Sequence, residues 1–320
     1  MHRRQFIQKT ALAATAATLL PKINSSHLTT HSSPMLPFTL DLNPGIIGVS
    51  ANSQAELLQM AIRHGYQSIT PFSGQLADMS AEELSEFTAA RQAAHISWGS
   101  TNLPVQFRES EERFQQDLAQ LPRHAAAMRA AGATRMNTWI MPTHPDLHYS
   151  ANMRQHAERL RACGQILADS GIQLGLEYVG AKTLMARDRF AFIRTLVELQ
   201  DLLLNIGLAN VGYVLDTFHW HCAEDSVEQI LALDPASIAS VDLNDARADL
   251  SRDAQIDGSR HLPLATGVID LKSFLQALVQ INYTGPIRAE PFNQALNDMD
   301  NEAALAATHK AMSAAFTLVR

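Results

Sequence analysis

The sequence predicts a single-domain (β/α)8 barrel of the TIM type, an α/β fold, and three observations carry that expectation. Short β-rich runs alternate with longer amphipathic stretches from Ile46 to the C-terminus, the pattern of a parallel sheet covered by helices. Eight such runs can be counted, and no glycine-rich phosphate loop follows the first, which favours a closed barrel over an open doubly wound sheet. Four late runs end in an acid: Leu174-Gly175-Leu176-Glu177, Tyr213-Val214-Leu215-Asp216, Ser240-Val241-Asp242 and Ile287-Arg288-Ala289-Glu290.

The first run is Gly45 to Ser50. Ser53 and Glu56 follow with capping-box spacing ahead of Leu57, Leu58, Ala61 and Ile62, and Gly65 ends that helix. The second run is Ser68 to Phe72, after which Ser80 and Glu83 form another capping box for a helix reaching about Ala94. The third run is Ser97 to Val105. A long helical region from Glu111 to Ala131, stopped by Gly132, leads to the fourth, Arg135 to Met141, which Pro142 breaks. Helical periodicity from Met153 to Ser170 precedes Gly171 and the fifth run, Gln173 to Glu177. A helix from Arg189 to Ile206 leads to the sixth run, Val211 to Asp216, and the seventh and eighth are Ile238 to Leu243 and Ile287 to Pro291. The last helix spans about Asn301 to Leu318.

The chain has 320 residues, 46% hydrophobic and 18% charged, enough for one large core. A formal net charge of -7 offers no basic field for a phosphate backbone, so no nucleic-acid partner is expected. Cys163 and Cys222 are too few for a disulfide framework and lack the paired spacing of a structural zinc site. At the N-terminus, His2-Arg3-Arg4-Gln5-Phe6-Ile7-Gln8-Lys9 looks like a twin-arginine export pattern, followed by an apolar run, Thr10 to Leu20, too short to span a bilayer. Residues 1–26 therefore read as a twin-arginine signal peptide, 27–44 as a polar tether and 45–320 as the barrel. The expected location is periplasmic or otherwise exported, with the twin-arginine export machinery as a transient partner and no stable membrane anchor after cleavage. Nothing in the sequence decides between a monomer and a homo-oligomer.

In a barrel the C-terminal ends of the strands converge on one mouth, so Glu177, Asp216, Asp242 and Glu290 meet despite their separation in the chain. Any one such acid serves more often as a helix cap or an arginine partner. Four together would repel and raise one another's pKa unless a cation sat among them, and a divalent metal resolves the conflict. Arg247 and Arg260, on the loop after the seventh run, are candidates to hold substrate hydroxyl or carboxylate groups. Trp139, Trp220, Phe72 and Phe292 are candidates for an apolar wall facing the substrate, although core packing explains each nearly as well. His221 and Cys222 read as loop or packing residues.

The segment Asn210-Val211-Gly212-Tyr213-Val214-Leu215-Asp216-Thr217-Phe218-His219-Trp220, the stretch Leu176-Glu177-Tyr178-Val179-Gly180, and Arg260-His261-Leu262-Pro263 with Tyr283-Thr284-Gly285-Pro286-Ile287-Arg288-Ala289-Glu290-Pro291-Phe292 resemble motifs of the xylose-isomerase-like superfamily of sugar isomerases and epimerases. The resemblance implies that Asp216 ligates a metal and that His219 contacts substrate. It also implies that Glu177 is both ligand and base, and that Glu290 is the second catalytic glutamate. One departure stands out: where such enzymes carry a histidine ligand, this sequence has Val241-Asp242-Leu243-Asn244-Asp245. A carboxylate there shifts the expected cofactor toward Mn2+ or Mg2+, with Co2+ or Zn2+ as alternatives.

The expected activity is isomerisation or epimerisation of a free sugar, keto-glycoside or cyclitol, by proton transfer between two glutamates through a metal-stabilised enediolate. The same proton abstraction could instead expel a leaving group, as in a keto-sugar or inosose dehydratase, and loss of the histidine ligand keeps a non-catalytic sugar-binding barrel in play. The superfamily also includes endonucleases for damaged DNA, which acidic charge and export disfavour.

Overall fold

The computed structural model describes residues 36–320; the segment read as an export signal and the first half of the tether lie outside them. Eleven strands run in chain order: β1 Thr39–Leu42, β2 Ser68–Ile69, β3 Ser97–Trp98, β4 Thr101–Asn102, β5 Arg135–Ile140, β6 Thr143–His144, β7 Gln173–Tyr178, β8 Phe190–Ala191, β9 Val211–Asp216, β10 Ile238–Leu243 and β11 Pro286–Ala289. Nine form one sheet in the order β3-β2-β1-β11-β10-β9-β7-β5-β4, with every pairing parallel. Its two end strands, β3 and β4, are separated only by Gly99 and Ser100. One interrupted strand thus pairs with β2 through its first half and with β5 through its second. The sheet closes on itself with eight strand positions, as the sequence predicts. Only a glycine fits the break, because a Cβ at Gly99 would lie 2.2 Å from Asp41 Oδ1.

Eleven helices cover the sheet or rim it: α1 Gln54–His64, α2 Ser73–Asp78, α3 Ala81–Ala93, α4 Glu111–Ala131, α5 Tyr149–Ala168, α6 Leu196–Ile206, α7 Thr217–Ala223, α8 Val227–Leu231, α9 Leu271–Gln280, α10 Gln294–Asn297 and α11 Asn301–Phe316. Ser80 and Glu83 form the complete reciprocal capping box of α3. At α1 only half of that box exists: Ser53 accepts from Glu56 N, while the Glu56 carboxylate turns to Asn52. Leu174, Leu176, Val241 and Leu243 are buried outside the barrel wall against helices, each contributing roughly 1.5–3 kcal/mol of apolar burial. The alternate residues point into the barrel, which is how acids come to occupy its mouth.

The first strand corrects the sequence reading. Thr39–Leu42, within the segment assigned to the tether, forms β1 and pairs with β11 and β2, so the barrel begins before residue 45. The expected strand Gly45 to Ser50 is a 3-10 turn, Gly45–Ile47, followed by Gly48 at φ 73. Pro44 O accepts from both Ile47 N and Val49 N, so these backbone groups are spent on the turn and none reaches a neighbouring strand. The third run is broken at Gly99, and the helix expected from Arg189 starts at Leu196, because Phe190–Ala191 pairs antiparallel with β6.

Candidate active site

The site lies at the C-terminal rim of β7, β9, β10 and β11. Glu177 is the penultimate residue of β7, Asp216 ends β9, Asp242 sits in β10 and Glu290 directly follows β11. Each of the four offers a carboxylate oxygen, and those oxygens lie within 4.8 Å of one another. Glu177 and Glu290 border a cavity of about 380 Å³ whose wall also includes Asn43, Asn102, Asn137, Trp139, His219, Asp257, Arg260, Arg288 and Phe292, with Asp216 and Asp242 buried behind that lining. Phe72 and Trp220, two candidates for an apolar wall, lie outside this lining, whereas Trp139 and Phe292 belong to it.

Arg260 occupies the middle of the carboxylate set. Its Nη1 donates to Asp216 Oδ2 at 2.9 Å and to Glu290 Oε2 at 3.1 Å. Nη2 donates to Asp257 Oδ1 at 2.6 Å, and Nε donates to Asp257 O at 2.8 Å. The guanidinium stacks between the rings of Phe218 and Phe292, 4.5 and 4.7 Å from their centroids. Phe292 holds a φ of 38°, a left-handed conformation that is strained for a bulky residue and found here at the cavity wall. Burial alone would weaken the Arg260 charge, but Asp216, Glu290 and Asp257 hold its pKa above the ordinary arginine value.

Asp216 shows why a strand-end acid can serve two purposes. As the N-cap of α7, its Oδ1 accepts from Phe218 N at 2.6 Å and His219 N at 2.9 Å. Its Oδ2 accepts from Asn244 Nδ2 at 2.9 Å as well as from Arg260. Burial pushes this carboxyl up, yet Arg260, His219 and the two backbone donors hold it below the usual carboxylate range. Glu177 lies at the other extreme: Oε1 is buried with no hydrogen-bond partner, and burial together with Glu290, Asp216 and Asp242 raises its pKa well above normal. Burial, reinforced by Asp242, pushes Glu290 up to about 8 despite the opposing Arg260.

Asp242 does not open on the cavity. It is paired in register with Arg288 across β10 and β11 and fully buried, with Arg288 Nε 2.5 Å from Oδ1 and Nη2 2.9 Å from Oδ2. The two parallel bonds are the geometry of an ionised bidentate pair. Arg288 sits two residues before Glu290 in the strand and so on the same face. That spacing was readable in the sequence, although its choice of Asp242 as partner was not. Asp257 was also missed; the signal was its place three residues before Arg260 on the same loop.

His219 is 2% exposed, and burial, with Arg260 adding to it, draws its pKa down to about 4. Gly180 N donates to Nδ1 at 3.2 Å, so the ring proton belongs on Nε2, which faces Arg260 Nη2 at 3.1 Å and Glu177 Oε1 at 3.8 Å. The Arg260–His219 approach therefore sets one N–H against another. Arg247 departs from expectation: it lies outside the cavity lining and forms a surface pair with Asp249, Nη2 to Oδ2 at 2.5 Å. The loop carrying Asp257 and Arg260 is tied at both ends to Asp245. That residue shares a two-way backbone bridge with His261 and accepts from Ala246 N, Thr266 N, Gly267 N and Ile269 N.

Residues 58–314 match the xylose isomerase-like TIM barrel family. The chain belongs to that family. The inosose isomerase of Bacillus velezensis is 23% identical to it over 241 residues, 73% of this chain and 82% of the relative. A solved xylose isomerase domain protein from Alicyclobacillus acidocaldarius superposes with a TM-score of 0.76 at 27% identity, covering 88% of this chain and 99% of the other. The zinc-bound structure of the IOLI protein superposes with a TM-score of 0.71 at 20% identity, over 88% of this chain and 98% of that one, and so shares the fold.

For a xylose isomerase-like barrel the donor set here fits a divalent cation in kind and spacing. Four carboxylates face one another within 4.8 Å, and the buried Glu177 Oε1 lacks any partner. When the four acids are ionised, the guanidinium groups of Arg260, which Asp257 shares, and of Arg288 do not balance them, and a dication offsets the remaining negative charge.

Proposed function

We propose that the protein is a divalent-metal-dependent isomerase or epimerase of an unphosphorylated sugar, keto-glycoside or cyclitol. The observation that carries this reading is the pair Glu177 and Glu290, two carboxyls with raised pKa at one end of a 380 Å³ cavity. Burial raises both in the metal-free site, Glu290 to about 8, and a cation held beside them would favour the ionised form that a base needs. The inosose isomerase relative and the zinc-bound IOLI neighbour support the substrate class and the metal.

Glu177, Asp216 and Glu290 would hold the cation, with Asp242 behind them. When bound, it supplies Lewis-acid stabilisation of oxygen charge next to the carbon that loses its proton. Glu177 reaches the cavity from β7 and Glu290 from β11, with β9 and β10 between them, so the two carboxyls address a substrate from different sides. One takes the proton and the other returns it, an exchange between faces that gives epimerisation; a single glutamate moving the proton between carbons gives isomerisation. His219, its proton fixed on Nε2 by Gly180, donates toward a substrate oxygen. The amides of Asn43, Asn102 and Asn137 suit hydroxyl groups, and the exposed Trp139 ring supplies an apolar face.

Both arginines at the cavity wall are already paired with carboxylates, and among the described residues no lysine lines it, so these residues offer no free cation to a phosphate. The deciding measurement is exchange of solvent deuterium into ketoses, aldoses, keto-glycosides and inososes by the Mn2+-loaded protein, with Glu177→Gln and Glu290→Gln as controls. Exchange that vanishes in both variants supports the reading. A dehydrated product in its place would make the enzyme a lyase, and tight sugar binding with no exchange would make it a binding protein. Export through the twin-arginine route, proposed from His2 to Lys9, is tested by fractionating cells that carry the chain with Arg3 and Arg4 replaced by lysine.

A further inference from the structure

We infer that Arg260 and a divalent cation are alternative occupants of the carboxylate set, so that the guanidinium must release Asp216 before a cation is held there. The inference rests on the metal-dependent reading above and deepens it. A carboxylate offers about four lone-pair positions, two on each oxygen. On Asp216 all four are taken: Phe218 N and His219 N on Oδ1, Asn244 Nδ2 and Arg260 Nη1 on Oδ2.

Three of those donors are fixed by the fold. The two backbone N–H groups belong to the first turn of α7, and their loss would uncap it. Asn244 is itself buried and locked by Thr217, whose hydroxyl donates to Asn244 Oδ1 at 2.8 Å. Arg260 is the fourth, and it alone is a cation at the end of a long side chain. Its Nη2 also faces the protonated Nε2 of His219 at 3.1 Å, one N–H against another.

Its other edge stays anchored whichever state is adopted. Asp257 holds Nε through its carbonyl and Nη2 through its carboxylate, and the Asp257 side chain lies at the cavity wall. Withdrawing Nη1 therefore breaks two bonds, to Asp216 and Glu290, without setting the guanidinium loose. Nη2, which Asp257 holds, keeps its place beside His219 Nε2 while Nη1 withdraws. Asp242 offers no substitute ligand of equal standing, because Arg288 already holds both of its oxygens.

The test uses Mn2+ alone, with unbound ion read by its electron paramagnetic resonance signal, on the wild-type chain and on Arg260→Met and Arg260→Lys. Removing a charged competitor should tighten Mn2+ binding by about tenfold or more in Arg260→Met. Arg260→Lys, which keeps the charge on a shorter reach, should also bind more tightly than wild type, because charge alone is not what blocks Asp216. Crystals of the Mn2+-loaded wild-type protein should show Asp216 on the ion and Arg260 Nη1 out of hydrogen-bond reach of Oδ2. Mn2+ held by Asp216 with Arg260 still bonded to it, or equal affinity in wild type and Arg260→Met, would overturn the inference while leaving a metal-dependent enzyme. Failure of all three proteins to bind Mn2+, Co2+ or Zn2+ would overturn both.

Discussion

Asp242 and Arg288 face each other in register across β10 and β11, joined by two hydrogen bonds of 2.5 and 2.9 Å and both buried. Removing one member strands the other charge in the barrel. Asp242→Asn should therefore destabilise the protein by about 3–5 kcal/mol in urea unfolding, whereas the paired change Asp242→Leu with Arg288→Met should recover most of that loss. Equal stability of Asp242→Asn and wild type would show that the pair is not ionised.

The stability of metal-free protein should depend on pH through Glu290. Its folded pKa, about 8, lies above the ordinary value of 4.5, so the stability linked to its bound proton is fully present below 4.5 and is lost as pH rises through 8. Glu177, shifted in the same direction, adds to the slope. Thermal unfolding between pH 5 and 9 should show a falling Tm that flattens in Glu290→Gln; a Tm that rises across this window would contradict the assignment.

Metal binding should release protons for the same reason. A glutamate must be ionised to ligate, and Glu290 is largely protonated below about pH 8, so Mn2+ affinity should climb as pH approaches that value and level off above it. Calorimetric titrations in two buffers of different ionisation enthalpy count the released protons directly. A count of zero at pH 7 would mean that neither glutamate holds a proton in the metal-free site.

Catalysis should fail by about 10²- to 10⁴-fold in Glu177→Gln, the range for loss of a general base, with folding retained because a neutral amide removes charge repulsion at a crowded site. The measurement is single-turnover exchange of substrate hydrogen, alongside circular dichroism. Activity within threefold of wild type would remove Glu177 from the proton path.

Gly180 is held to its type by space: a Cβ there would stand 2.3 Å from His219 O. Gly180→Ala should push α7 away from β7, loosen the Gly180–His219 bond and lower kcat more than it raises KM, since His219 is misplaced rather than lost. An unchanged kcat in a folded Gly180→Ala protein would argue that His219 orientation is immaterial.

Much of the barrel was legible because period-two burial and strand-end acids follow directly from strand geometry. Val211 to Asp216 and Ile238 to Leu243 were delimited from sequence as they stand in the structure. Thr39–Leu42 was hidden by the Ser-, Thr- and Pro-rich stretch just before it, and the apolar Ile46, Ile47 and Val49 drew the strand assignment onto a turn that Pro44 and Gly48 impose. The acids of the site could be located from sequence but their partners could not, since pairing depends on which side chain reaches across the mouth. Arg247 and Arg260 share one loop, yet Asp249 claims the first at the surface while the second threads between Phe218 and Phe292 into the centre.

The ties that Asp245 makes to both ends of its loop separate the tempo of change at the mouth from that of the barrel. Asp245 closes the base of the loop it begins, so residues 247–256 form an outer cassette in which insertions or substitutions can reshape the entrance without disturbing β10 or β11. Arg260, bound to the acids below, and Asp257, bound to Arg260, are not part of it. Substrate preference among descendants of this chain can therefore drift by exchanging that cassette, while the acids beneath it stay where the strands put them.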